Sequence, residues 1–338
     1  MRLLFITSGR TSLSHLDPNM IDAFRQLSQE MGRFQCDVFH YKAESLKWLT
    51  EKVRCKRPDV ILVSRGYWLP SSIVSHLRTF GIPLGLWVVD DPYNIRIHER
   101  LAQPYHFVVT QEASCLSHYR QKNKRCLYLP LAVNPKKYAP ARVSAKYRSD
   151  VCFVGSGLPE RIRVIDRLAP FLLQKKFILI GRWWERLTRY EQLKRHIVNH
   201  PIAPREAAYY YNGAKIVLNI HRTDNDVGDN PTRIPSFTPN NRTFDIAACQ
   251  AFQLVSHRRH LNRFYELEKE IVSFKNLPEL KRKIDYYLAH DDARETIAAR
   301  AYGRTIAEHT YVERLRPFVR ALERIFVTNS NGSTKADR

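Results

Sequence analysis

Short apolar runs alternate with amphipathic stretches along most of the chain. "RLLFITS", "CDVFHY", "DVILVS", "LGLWVVD", "HFVVTQ" and "CLYLPL" are rich in Val, Ile, Leu and Phe and carry few polar breaks. Such runs predict strands buried on both faces. The stretches between them have helical periodicity. One helix begins at Asp17–Pro18, a cap residue followed by a proline at the first helical position, and runs to about Met31. Others are predicted over about 43–54, 70–79 and 113–121. Strands alternating with helices predict a parallel sheet covered on both faces.

The pattern breaks at "AVNPKKYAPARVSAKYRSD", residues 132–150, which is polar, contains two prolines and lacks periodicity. It reads as a linker. The alternation then restarts with "DVCFVGS", a helix over about 159–174, "FILIG", a helix over about 204–212, and "KIVLNIH". A helix opening in "SFTPNNRTFDIAACQAF" follows, then "FQLVS", "EIVSF" and helices over about 276–290 and 292–309. The expectation is an α/β protein with two Rossmann-like, doubly wound domains facing a cleft. The first domain is expected over 1–148, on the acceptor side, and the second over 149–311, on the donor side. An amphipathic helix over 312–328 is expected to cross back to the first domain, ahead of a disordered tail, 329–338.

Composition narrows the function classes. The net charge of +22 is spread over the whole chain, which favours anionic partners without choosing among phosphorylated ligands, membrane surfaces and nucleic acid. No apolar run is long enough to span a membrane, and "MRLLFITSGR" reads as a first strand rather than a leader. The six cysteines are scattered with no CxxC pair, which argues against zinc and disulfide frameworks and for a cytoplasmic location.

Ligands of doubly wound sheets bind beyond the carboxyl ends of the strands, so the candidate chemistry lies in the loops that follow them. Asn240 or Asn241 can cap the helix of "TPNNRTFDIAACQ", whose free N–H groups and dipole favour an anion. Thr238, Arg242 and Thr243 add donors around that end, and Asp245 lies about one turn in, within reach of a ribose diol beside a bound diphosphate. Complementing the helix dipole is the alternative role for Asp245. Gly155 and Ser156 end a strand and can let the backbone approach a phosphate, or simply turn the chain. Arg161 opens the next helix, and His221 and Arg222 follow "KIVLNI". Gly9 and Arg10 follow the first strand in "TSGR", which is not the GxGxxG fingerprint, so a dehydrogenase is disfavoured. "DDPYN" places Asp90, Asp91 and Tyr93 at the end of a central strand of the first domain. One carboxylate, with Asp91 preferred, is a candidate base for an acceptor hydroxyl, and a turn cap is the other reading.

"TPNNRTFDIAACQAFQLVSHRRHLNRFYE", "EIVSF" and the ending "AEHTY", with "VCFVGSGLPERIRVI" and "KIVLNIHR" upstream, resemble the CgeB-like family of spore-maturation-type glycosyltransferases. "LWVVDDPY" and "LYLPLAVNPKKYAP" extend the likeness loosely into the first half. The resemblance implies a GT-B glycosyltransferase, with a nucleoside-diphosphate-sugar as co-substrate and no other cofactor. In related retaining enzymes two glutamates eight positions apart flank the donor. Asp245 falls at the second position and Phe237 at the first, with Gln250 in place of a usual glycine. Thr238 and Asn240 are candidates to replace the missing acid. The resemblance also puts Arg161 against the diphosphate, a solvated arginine being the other reading. His221, a catalytic candidate because it follows its strand and is expected to point into the cleft, has a structurally hydrogen-bonded edge histidine as its alternative. The resemblance makes an anionic cell-envelope or spore-surface glycan or protein the expected acceptor, with a location peripheral to a membrane or spore surface.

"DND" at 224–226 has the form of a metal-nucleotide motif of a different glycosyltransferase fold, but it lies in a long loop, 222–239, expected to be mobile, and no metal role is assigned to it. Two competing readings remain. A basic nucleic-acid-binding protein, disfavoured, has its best local support in "RWWERLTRYEQLKRH", read as one helix. A nucleotide-sugar-binding homologue without catalysis is suggested by Phe237.

Overall fold

The computed structural model describes residues 1–9, 16–224, 226 and 228–328. Arg10, Asn225 of "DND" and the tail 329–338 lie outside the described residues. The chain divides into two compact units. One comprises Met1–Pro130, Asp229–Ser236 and the segment from Tyr311; the other comprises Leu131–Gly228 and Phe237–Thr310. The first unit closes at Pro130, so the linker stretch 132–150 belongs to the second.

In the first unit, β1 (Arg2–Ile6), β2 (Gln35–Phe39), β3 (Val60–Ser64), β4 (Leu84–Val88), β5 (Phe107–Thr110) and β6 (Arg125–Tyr128) form one sheet in the order β2-β1-β3-β4-β5-β6. Every pairing is parallel. The crossovers contain α1 (Leu16–Glu30), α2 (Leu46–Lys56), α3 (Ser71–Arg78), α4 (Ile95–Ala102) and α5 (Cys115–Gln121). β3, β4 and β5 are buried along their whole length, which is why their sequences are apolar at both parities. α4 was not expected. It is two turns long and places only Ile95, His98 and Ala102 inside, too few for a readable period.

The second unit repeats the plan with β7 (Ser149–Val154), β8 (Phe177–Ile180), β9 (Ile197–Val198), β10 (Ala214–Asn219), β11 (Gln253–Ser256) and β12 (Val272–Phe274), in the order β12-β11-β10-β7-β8-β9. These pairings too are parallel. Its helices are α6 (Pro159–Leu172), α7 (Tyr190–Leu193), α8 (Pro204–Gly213), α9 (Asn241–Ala248), α10 (Leu277–Ala289) and α11 (Asp291–Glu308). α6 and α10 pack over one face of the sheet around Ile165, Leu168, Leu280 and Ile284. α8, α9 and α11 cover the other around Tyr211, Phe244, Ile246 and Ala301. Residues 182–196 are not one helix. They form a 3-10 turn at Trp184–Arg186, the short α7 and a second 3-10 turn at Lys194–His196. Trp184, Leu187 and Leu193 are core residues, while Trp183 is exposed with the Arg186 guanidinium over its ring.

The last helix, α12 (Tyr311–Glu323), belongs to the first unit and packs on α1, where Arg316 Nη2 donates to Glu30 Oε2 at 2.7 Å. The ring of Phe326 lies 4.8 Å from that of Phe107. The segment Asp229–Ser236, expected as part of a mobile loop, is anchored within the same unit. Asp229 pairs with Arg96 at 2.7 Å, and Ser236 Oγ donates to Glu112 Oε2 at 2.9 Å.

Candidate functional site

In the second sheet the chain leaves β7 towards β8 and leaves β10 towards β11, in opposite directions, so the carboxyl ends of β7 and β10 form the switch point. Arg161, in the first turn of α6, ties these two ends together. Its Nε donates to the Ile220 carbonyl at 2.9 Å and its Nη1 to the Ser156 carbonyl at 3.0 Å, with the guanidinium over the Phe153 ring. It is 3% exposed, so it braces both loops from beneath. Gly155 follows β7, and a Cβ there would lie 3.2 Å from the Arg242 guanidinium carbon. The missing side chain is what lets Arg242 lie across the end of β7.

α9 starts where the sequence places it, and its front end divides the candidates into two sets. Asn240 is the cap. Its Oδ1 accepts from the Thr243 N–H at 3.1 Å, and its amide exchanges hydrogen bonds with Asn219 on β10. Thr243 is fully buried, and its hydroxyl accepts from Asn219 Nδ2 at 3.0 Å. Gln253 on β11 donates to the Thr243 carbonyl at 2.8 Å. Asn219 and Gln253, which the sequence reading passed over because they sit inside strands, therefore hold α9 on the sheet. Thr238 is also buried. Asn241 and Arg242 remain half-exposed at the helix start.

Asp245 is 4% exposed, and burial pushes its carboxyl up to about 8, against the opposing pull of Arg242 and a hydrogen bond from Asn241. Asn241 Nδ2 donates to Asp245 Oδ2 at 2.8 Å. The acid thus stands behind Asn241 rather than in front of it. Phe237, at the position of the first expected acid, lies under the Arg259 guanidinium at 4.8 Å and beside the His260 ring. Gln250 adopts φ +53°, the left-handed conformation that makes glycine usual at this helix end.

His221 is 4% exposed, and its Nδ1 lies 3.0 Å from both the carbonyl oxygen and the hydroxyl of Ser256. The carbonyl can only accept, which assigns the proton to Nδ1 and leaves Nε2, buried and without a partner, as a lone pair. Burial and the charge of Arg258 hold the ring well below the usual imidazole range, so it is neutral at pH 7. Arg222 is half-buried, and its carbonyl accepts from Arg258 Nη2. Asp226 of "DND" serves the helix beside it, its Oδ1 accepting from the Glu160 N–H at 3.2 Å and its Oδ2 from the Thr223 N–H at 2.9 Å. Among the described residues no group of three His, Cys, Asp or Glu is arranged to hold a metal ion.

In the first unit the sequence candidates take structural posts. Asp91 is entirely buried. Its carboxylate meets His98 Nδ1 at 2.5 Å, Thr110 Oγ1 at 2.6 Å and the Tyr119 hydroxyl at 3.1 Å. With every oxygen engaged it cannot reach an acceptor, which corrects the preference for Asp91 as a base. Asp90 is half-buried, and its carbonyl accepts from the Asn94 N–H as the turn closes. Gly9 has φ +71°, and a Cβ there would fall 2.7 Å from Tyr41, so a turn against Tyr41 accounts for it. Asp17 lies inside α1 and is no simple cap. Its carboxylate accepts from the Ser8 N–H at 2.8 Å and from the Ser64 hydroxyl at 2.5 Å, joining the ends of β1 and β3 at the switch point of the first sheet.

Two doubly wound parallel sheets in tandem in one chain are the architecture of the GT-B fold. Residues 161–320 match the family described as "Glycosyl transferase-like". The chain is 29% identical over 321 residues to the spore protein CgeB of Bacillus subtilis (strain 168), covering 93% of this chain and 96% of that protein. Its fold is similar to that of sucrose-phosphate synthase from Thermosynechococcus elongatus, at a TM-score of 0.64 and 12% identity over 96% of this chain and 99% of that one. It is also similar to HepE from Anabaena in complex with UDP and glucose, at 0.62 and 15% over 96% and 100%. At such identities the structural likenesses carry the fold alone.

Proposed function

We propose that the protein transfers a sugar from a nucleoside diphosphate donor, with the diphosphate at the start of α9. The observation that carries this reading is the outward pair Asn241 and Arg242. They stand on a capped helix that begins at the switch point, with Arg242 laid across Gly155. As the glycosidic bond breaks, negative charge gathers on the leaving diphosphate, where Arg242 and the α9 N–H groups are placed to meet it. Asn241 is the group offered to the ribose, and Asp245 is its positioning residue. Neutral His221 offers its Nε2 lone pair to a sugar hydroxyl. Asp90, the less buried of the two adjacent acids, is the one to examine for proton transfer from the acceptor.

The HepE structure holds UDP and glucose, which makes UDP the first ligand to test. Arg242→Ala is expected to weaken UDP or another preferred nucleoside diphosphate by about 1.5–3 kcal/mol in calorimetry, as loss of a charge-assisted contact does. Failure of the folded protein to bind any nucleoside diphosphate would sink the reading. The same reading assigns no step to a metal ion, so transfer is expected to survive chelation. The six free cysteines support a reducing, cytoplasmic setting, and among the described residues no helix is long and apolar enough to cross a membrane. A second reading, nucleotide-sugar binding without transfer, is favoured by Phe237, whose cation–π contact with Arg259 occupies the place of an acid. Tight donor binding with no sugar transfer to any acceptor would select it.

A further inference from the structure

In the first unit a chain of hydrogen bonds leads from the core to the surface. Asp91 Oδ1 accepts from His98 Nδ1 at 2.5 Å, and both side chains are wholly buried. With the proton on Nδ1, His98 Nε2 is a lone pair. It is bonded to the Tyr67 hydroxyl, which therefore donates. Tyr67 is half-exposed. So are Asn94, whose Nδ2 donates to the Tyr67 oxygen at 3.4 Å, and Asp90, whose charge acts on the same hydroxyl. Burial and the charges of Asp90 and Asp91 push the Tyr67 phenol up, so it is neutral at pH 7 and is no base by itself. Arg65 and Gly66, at φ +60° and +64°, turn the chain between β3 and Tyr67. The chain leaves β1 towards β2 and β3 towards β4, in opposite directions, so Tyr67 stands at the switch point of the first sheet, where such sheets take ligands. The half-exposed Trp68 ring, 5.6 Å from that of Tyr67, adds the aromatic wall common in small-ligand sites.

We propose that Tyr67 is the catalytic residue that takes the proton of the acceptor hydroxyl, with His98 and Asp91 as its positioning residues. The proposal rests on the donor reading above. The acceptor is a neutral hydroxyl of ordinary acidity, on a sugar or another alcohol, which donates to the second lone pair of the Tyr67 oxygen. Its own oxygen then bonds to the anomeric carbon as the bond from that carbon to the diphosphate breaks. The diphosphate leaves with the electron pair. The acceptor's proton passes to the Tyr67 oxygen, and the Tyr67 proton passes to His98 Nε2. Tyr67 ends neutral, as it began. The imidazolium formed on His98 faces the Asp91 carboxylate, whose opposite charge favours it. After the product leaves, the proton returns by the same path to water. Asp91 cannot reach an acceptor itself, but through His98 it makes a neutral phenol able to receive a proton.

The test measures sugar transfer by the full-length protein from nucleotide-sugars, UDP-glucose first, alongside UDP affinity by calorimetry. The acceptors are graded in acidity, from water, methyl glucoside and ethanol through trifluoroethanol to 4-nitrophenol, which is largely ionised at about pH 8 and needs no base. Tyr67→Phe removes one oxygen and keeps the ring. It is expected to lower kcat about 100-fold or more with the weakly acidic acceptors and less than about threefold at the ionised end, with UDP affinity changed less than about twofold. His98→Gln is expected to repeat that pattern, and if it does not fold, Tyr67→Phe decides alone. No loss in the folded Tyr67→Phe protein, or an equal loss with every acceptor, would overturn the proposal. So would an acceptor-graded loss in Asp90→Asn that Tyr67→Phe does not show, which would make Asp90 the base. A protein that binds no nucleoside diphosphate fails at the donor reading, and the relay falls with it. A protein that binds UDP but passes a sugar to no acceptor, water included, keeps donor binding and overturns the relay alone.

Discussion

Single residues in this protein gain their roles from burial more than from type. Asp245 shows the effect most clearly. Its carboxyl is raised to about 8, whereas in an unfolded chain it lies near the ordinary carboxylate value of about 3.9. A folded-state value above the unfolded one means that the folded protein holds the proton longer. The stabilisation is fully present below about pH 4 and is lost as pH rises through about 8, at up to about 1.4 kcal/mol per unit between. Asp245→Asn is expected to flatten this dependence, matching the parent near pH 4 and exceeding its Tm at pH 8. Parallel Tm–pH curves for the two proteins would show that Asp245 ionises normally. Asp91 is the contrasting case, a buried acid with every oxygen satisfied. Asp91→Ala leaves His98, Thr110 and Tyr119 facing an empty place, and unfolding titrations are expected to show a loss of about 3–5 kcal/mol.

At the scale of elements, α9 is held by both ends. Its front is fixed by the Asn240, Asn219 and Gln253 network, and its back turns through Gln250 at φ +53°. A side chain in the left-handed region is strained, so Gln250→Gly is expected to raise stability by about 0.5–1 kcal/mol in chemical denaturation. An unchanged or lowered midpoint would mean that the Gln250 side chain contributes more than its strain costs. Much of this element was legible in the sequence, because cap, small residues and apolar face all fall at helical spacing. The division of its front end was not. Which of Asn240, Asn241, Arg242 and Thr243 turns inward depends on Asn219 and Gln253, which come from two other strands. The short α4 and the two-residue β9 were missed for a different reason. Neither is long enough to display a period: α4 is set by the three residues it buries and the edge strand β9 by its pairing with β8.

On the scale of the whole molecule, compactness and chain order part company. The first unit is completed by residues from the far end of the chain, with Met1 at the N-terminus 3.6 Å from Glu323 and Arg316 bonded to Glu30. α12 buries Tyr311, Leu315, Phe318, Val319 and Leu322. A chain ending at Thr310 uncovers the side of α1 against which that face packs. It is expected to unfold its first unit at a markedly lower temperature, read by calorimetric scanning, while the second sheet keeps its transition. A single unchanged transition would show that α12 adds nothing to the first unit.

The sequence by itself determined the two parallel sheets, since continuous apolar runs can only be strands covered on both faces, and it marked the start of α9, since caps act locally. The tertiary structure decided what the charged residues do. Asp91, after an apolar strand, and Asp245, one turn into a helix, both read as candidate site acids, yet one is fully bonded in a core and the other is raised by burial behind Asn241. Arg161 and Arg242 read alike as cations at helix starts, yet one braces two loops and the other remains half-exposed. Burial and long-range pairing set the energy of a charge, and both are properties of the packed molecule.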